Sequence, residues 1–166
     1  MEYVKTALEL SGYVAGNAIL VWVTYIPLFI IAIFARKGSE GSRRKASNVM
    51  LGASVPGLLI VSSCLCICFI LFVKAFTVLK ANQSTEYYSY DDLYKMLQDF
   101  EGMGILFTLL TFLVAGIQCV IFIICGAVII KSGTGKLIGW ISVIVSILII
   151  IGGCLFVGPF CLAISY

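Results

Sequence analysis

Two stretches hold the residue types that could do chemistry. One is Cys64-Leu-Cys66-Ile-Cys68, three of the chain's seven cysteines. The other is EYYSYDDLYKMLQDFEG, residues 86–102, which carries Glu86, Asp91, Asp92, Asp99 and Glu101, five of the eight acidic residues. Clustered thiolates can hold a soft metal, and paired carboxylates can move protons. The spacing argues against both. On a helix Cys64 and Cys68 share a face while Cys66 points elsewhere, and the run is not a C-x-x-C pair. There is no histidine in the chain, so imidazole ligands, histidine-ligated haem and a histidine general base are all excluded. A metal would have to be held by thiolates alone, a cuprous ion for instance. Cys119, Cys125, Cys154 and Cys161 also fall in apolar runs. All seven are expected to behave as small buried hydrophobes. We expect no catalytic residue, no metal site and no cofactor, and therefore no enzyme.

The acidic stretch resolves into an element. Ser89 can cap a helix with Asp92 three residues on. Leu93, Met96, Leu97 and Phe100 then recur at i, i+3, i+4 and i+7, the apolar stripe of an amphipathic helix. The spacing predicts a short helix over 90–101, ended by Gly102. Tyr90, Asp91, Asp92, Tyr94 and Asp99 fall on its exposed side, and tyrosine suits both a membrane interface and a protein contact. That makes the helix the expected partner-facing surface.

Composition sets what surrounds it. The 166 residues are 61% hydrophobic and 11% charged, against about 45–50% and about 25% in soluble domains. A chain this apolar reads as an integral membrane protein of one domain, 1–166. A membrane helix needs about 20 mostly apolar residues, and four segments supply them: about 13–35, 49–79, 103–130 and 137–165. Each is continuously apolar rather than alternating, which fits helices and not a barrel. The expected architecture is all-α: a polytopic bundle of four transmembrane helices, with the short amphipathic helix outside the membrane between helices 2 and 3. Lys74 would snorkel to an interface near the end of the long second span.

The linkers set orientation. Residues 36–47 carry Arg36, Lys37, Arg43, Arg44 and Lys45 against Glu40, residues 131–136 carry Lys131 and Lys136, and residues 81–102 carry five acids against Lys95. The positive-inside rule places linkers 36–48 and 131–136 in the cytoplasm. Both termini and the 81–102 loop then lie on the luminal or periplasmic side. There Asn82-Gln83-Ser84 is a glycosylation acceptor by pattern. The cytoplasmic basic cluster is expected chiefly as a topogenic signal that sits at anionic headgroups. No basic face suited to nucleic acid is present, and the N-terminal stretch reads as mature protein rather than a leader.

Inside the spans, ionisable residues would mark proton relays or ion paths, and none lies deep. Gln118, near the middle of the third span, is expected to make an interhelical hydrogen bond. Gly12 with Gly16, and Ser142 with Ser146, have the four-residue spacing that lets helix backbones approach closely. These are read as packing faces, within the chain or toward a partner. Pro27 and Pro56 should bend the first and second spans.

At hairpin level, CGAVIIKSGTGKLIGWISVI (125–144) and RRKASNVMLGASVPGLL (43–59) resemble conjugative pilins of type IV secretion systems, in which two apolar helices flank a short basic turn with both ends outside. The resemblance implies a homo-oligomeric secretion conduit. The chain departs from that family in its four spans, its long acidic loop and its lack of a cleavable leader. The leading expectation is therefore a non-catalytic multi-pass membrane subunit or scaffold that packs within, or assembles, a larger complex. Its partners would be the bilayer and other membrane proteins or copies of itself. A homo-oligomeric pore, channel or conduit is the alternative.

Overall fold

A computed structural model describes residues 11, 12, 14–84 and 90–164. Every regular element among the described residues is helical. Helix α1 spans Val14–Arg36, α2 Gly41–Ser84, α3 Tyr90–Lys131 and α4 Lys136–Ile164. Within them, Val14–Arg36, Gly41–Thr77, Gly102–Lys131 and Lys136–Leu155 are each long and apolar enough to cross a membrane.

Two boundaries differ from the sequence expectation. The first linker is short: α1 ends at Arg36 and α2 begins at Gly41, so Arg43, Arg44 and Lys45 belong to the first turns of α2. Gly38 and Gly41, at φ of 64° and 55°, supply the left-handed residues that such a tight reversal needs. The second difference is at Gly102. Residues 90–101 are helical, but α3 continues through Gly102 with no left-handed residue there. A glycine inside a helix costs about 1 kcal/mol. Ending the helix would instead strip partners from up to four carbonyls, so continuation wins. The stripe of Leu93, Met96, Leu97 and Phe100 lies outside the described side chains.

The first span is irregular where Pro27 falls. Val21–Tyr25 forms a π-helical turn, and α-helix resumes at Ile26 with the proline in its first turn. Proline has no N–H and its ring crowds the carbonyl four residues back. A wider turn ahead of it accommodates both effects. Pro56, by contrast, sits inside α2, which is helical on both sides of it.

Contacts divide the chain into two units. One comprises Met1–Leu20 with Ile60–Thr111, the other Val21–Leu59 with Phe112–Tyr166. In the second, α1 contributes Leu28, Ile31, Ala32 and Ala35, at i, i+3, i+4 and i+7, to a core shared with Ala46 and Met50 of α2 and Cys119, Phe122, Cys125 and Ile129 of α3. Ile138, Val145, Ile149 and Ile150 of α4 pack against this core, and Ile26–Arg36 lies along α4.

Small residues fix the approach of α3 to α4. A Cβ on Gly126 would fall 2.9 Å from the carbonyl oxygen of Gly139, and one on Gly139 would fall 2.8 Å from the carbonyl oxygen of Gly126. Ser142 uses the same proximity to donate a hydrogen bond of 3.0 Å to the carbonyl of Phe122. The turn between the helices is made by Gly133 and Gly135, at φ of 80° and 77°.

Polar side chains are buried and large apolar ones exposed to an unusual extent. Asn17, Gln118, Ser142 and Ser146 are buried, while Trp22 (68% exposed), Leu59, Leu106 and Leu148 face outward. Buried amide and hydroxyl groups beside an apolar core, with many large apolar side chains also facing outward, are consistent with helices packed in an apolar surrounding.

Gly139→Ala is expected to destabilise the purified protein by about 1–3 kcal/mol, the usual cost of overpacking against rigid neighbours. Gly52→Ala, on α2 with no heavy atom of the described residues within 4 Å of its Cβ position, is expected to stabilise by about 0.5–1 kcal/mol through helix propensity. Thermal unfolding in detergent, followed by circular dichroism, reads both.

Candidate functional site

In the first unit, Asn17 of α1 is the organising polar residue. Its Nδ2 donates to Thr108 Oγ1 at 3.0 Å and to Cys68 Sγ at 3.9 Å. Thr108 passes its own proton to the carbonyl of Gly104 at 2.8 Å. Thr111 donates to the carbonyl of Phe107 at 2.8 Å and lies 3.5 Å from Asn17 Oδ1. One buried amide thus ties α1 to α2 and α3. Such bonds contribute on the order of 0.6 kcal/mol each within a membrane, so they serve alignment more than raw stability.

In the second unit the polar groups gather around Gln118. Its carboxamide is buried, at 3% exposure, and neither its oxygen nor its nitrogen finds a hydrogen-bond partner among the described residues. Gly57, directly after Pro56 on α2, makes the room. A Cβ there would lie 2.7 Å from Gln118 Oε1 and 2.9 Å from Cε1 of Tyr25, the buried tyrosine at the end of the π turn. Ser146 belongs at the same level. Phe122 meets Ser142, Gly126 meets Gly139, and Phe112 lies beside Gly153. Each step along α3 is therefore a step back along α4, which sets Ser146 opposite Gln118. The Ser146 hydroxyl is buried and, like the carboxamide, unbonded among the described residues. These are neutral donors and acceptors. They can orient a polar group but form no nucleophile–base pair.

The basic residues of the first linker differ in burial. Arg36, Lys37, Arg44 and Lys45 are exposed, while Arg43 is buried. Its Nη2 donates to the carbonyl of Lys37 at 3.4 Å, and its guanidinium lies against Gly135 in the turn between α3 and α4.

Among the described residues, Gly12 and Gly16 have no heavy atom within 4 Å of their Cβ positions. Tyr90 opens α3, and Asp91, Asp92, Tyr94 and Asp99 follow in its first turns, with side chains outside the described residues. Cys64 and Cys68 are buried on a common face and Cys66 is exposed. Cys119 and Cys125 are also buried, but Cys154, like Cys66, is exposed, so burial does not extend to every cysteine of the apolar runs; among the described residues, no three cysteine or acidic side chains converge as a metal cage. The Asn17 network, the Tyr25–Gly57 seat for Gln118 and the Arg43–Gly135 contact were not foreseen. The available signals were a lone amide in an apolar run, a glycine directly after a proline, and two glycines in a basic turn. Comparison with protein-family models, curated proteins and solved structures finds no match.

Gln118→Leu keeps the volume and removes an unbonded buried carboxamide, so it is expected to raise stability by about 1–3 kcal/mol. Asn17→Leu removes a bonded amide and strands Thr108 and Cys68, and is expected to lower stability by about 1 kcal/mol. Opposite signs in parallel chemical denaturation of the two variants would verify that the two amides occupy different situations.

Proposed function

We propose that the protein is a non-catalytic multi-pass membrane subunit or scaffold that packs within a larger membrane complex. The observation that carries this reading is the unequal use of glycine. Gly126 and Gly139 are consumed by the chain's own α3–α4 contact, whereas Gly12, Gly16, Gly52, Gly116 and Gly152 have no neighbour at their Cβ positions among the described residues. Bare backbone on apolar helices admits a close approach by another helix. The large outward-facing apolar side chains are consistent with lipid around the remainder of the surface.

In this proposal the two basic turns lie in the cytoplasm, and both termini and residues 81–102 lie outside, following the charge asymmetry of the linkers. The acidic first turns of α3, with Tyr90, Asp91, Asp92, Tyr94 and Asp99, then form an amphipathic outer surface for a partner. A homo-oligomeric pore or conduit would place Gln118 and the serines on a water path. Their burial within the chain's own packing favours the subunit reading.

Purification of the full chain from its native membrane in mild detergent is expected to retain a second membrane protein or a second copy. A lone monomer would overturn the proposal. Gly12→Ile with Gly16→Ile should leave helicity and thermal stability unchanged while weakening that association about tenfold, equivalent to roughly 1.4 kcal/mol.

A further inference from the structure

We infer that the turn between α3 and α4, together with Arg43, forms a receptor for a phosphate group, supplied at the membrane surface by an anionic phospholipid. The inference starts from Arg43. Of the five basic residues in the first linker it alone is buried, at 9% exposure. A guanidinium taken out of water requires its N–H groups to be met and its charge to be balanced. Here Nη2 reaches the Lys37 carbonyl only at 3.4 Å, and Nε–H is buried with no hydrogen-bond partner among the described residues. In sequence the nearest acid is Glu40, which is exposed.

The guanidinium of Arg43 lies with its face against Gly135, at the start of α4. A Cβ on Gly135 would lie 2.6 Å from Cζ, 2.8 Å from Nη1 and 2.9 Å from Nε. Only glycine leaves room for the guanidinium there. Gly135 is also the residue that opens α4: its carbonyl accepts from Gly139 N–H at 3.2 Å, the first bond of the helical ladder. The N–H groups of Lys136, Leu137 and Ile138 precede that ladder and point out of the helix end, as at any helix start. Having no side chain, Gly135 cannot cap them.

The turn itself is shaped for an anion. Its Ser132 and Gly133 N–H groups are spent on the carbonyls of Val128 and Ile130, closing α3. Thr134 and Gly135 follow, with left-handed glycines on either side of Thr134. Alternating left-handed residues turn backbone N–H groups into an anion-binding concavity. The positive end of the α4 dipole adds to it. Lys131 and Lys136 stand exposed at the two sides.

A buried guanidinium thus lies against a helix N-terminus, in a turn bounded in sequence by two exposed lysines, with no anion from the chain bonded to it among the described residues. Phosphate fits this set, because charge-assisted guanidinium and ammonium donors and helix-end amides can each meet a different oxygen. In a bilayer, a turn between two membrane-length helices lies at headgroup depth, which favours a lipid over a soluble phosphate.

The test uses the full-length protein in detergent, mixed with defined lipids and read by native mass spectrometry. Wild type is expected to retain phosphatidic acid about tenfold over phosphatidylcholine. Arg43→Gln should abolish that preference. Lys136→Gln, at an exposed position, should reduce it severalfold and serves if Arg43→Gln does not fold. Arg44→Gln removes an equal charge one residue away and should leave the preference intact. Retention lowered as much by Arg44→Gln as by Arg43→Gln and Lys136→Gln would overturn the site in favour of diffuse surface charge. Absence of any preference in wild type would overturn it outright. Inorganic phosphate, titrated against chloride at equal ionic strength, separates the sources. Displacement of bound lipid by phosphate alone would support the receptor with free phosphate as a second occupant, and no displacement would support a lipid headgroup as the occupant.

Discussion

The second unit depends on one close approach, that of Gly126 to Gly139. With each carbonyl within 2.9 Å of where the other residue's Cβ would be, a side chain at either position would push α3 and α4 apart and out of this register. That register brings the Ser142 hydroxyl to the Phe122 carbonyl, sets Ser146 level with Gln118 and lays Phe112 beside Gly153. It also requires a very short connection, which Gly133 and Gly135 provide in a left-handed conformation that other residues adopt only with strain. The same lack of a side chain at Gly135 gives Arg43 its seat. Helix packing and the chemistry of the basic turn are therefore consequences of a single pair of missing side chains and the turn that follows from them.

Polar groups are handled differently in the two units. Around Asn17, donors and acceptors are matched: the amide, two threonine hydroxyls and a thiol are spent on one another or on backbone carbonyls of the same helix. Around Gln118 they are not matched among the described residues, although the side chain is equally buried. An unmet carboxamide in an apolar surrounding is costly. The local structure nevertheless makes space for it, through Gly57 after Pro56 and through the π turn that carries Tyr25. Pro27 contributes to that π turn, so an imino acid in the first span and a glycine in the second shape the seat of a residue in the third.

Much of the fold was legible in the sequence. Four runs of about 20 or more apolar residues mean four long helices, because an apolar surrounding leaves the backbone no other partner. The i, i+4 spacing put Cys64 and Cys68 on one face and Cys66 off it, and the thiols are exposed or buried accordingly. The helix boundaries were less legible. Gly38 and Gly41 compressed the first linker, and Gly102 was absorbed into α3, because glycine can end a helix or be carried through one depending on whether its carbonyl neighbours have another partner.

By itself the sequence determined the helices, their order and the opposite charge of the connections, since each depends on residues near one another in the chain. Only the tertiary structure decided which equivalent residues were used. Gly126 and Gly139 are filled while Gly12 and Gly16 have no neighbour at their Cβ positions among the described residues, and Arg43 is buried while four basic neighbours stay exposed. Asn17 finds its partners at Thr108 and Thr111, more than 90 positions away. The reason is that periodicity states which residues share a face. What that face meets depends on turn geometry and on register, and both are set by close contacts between segments far apart in the chain.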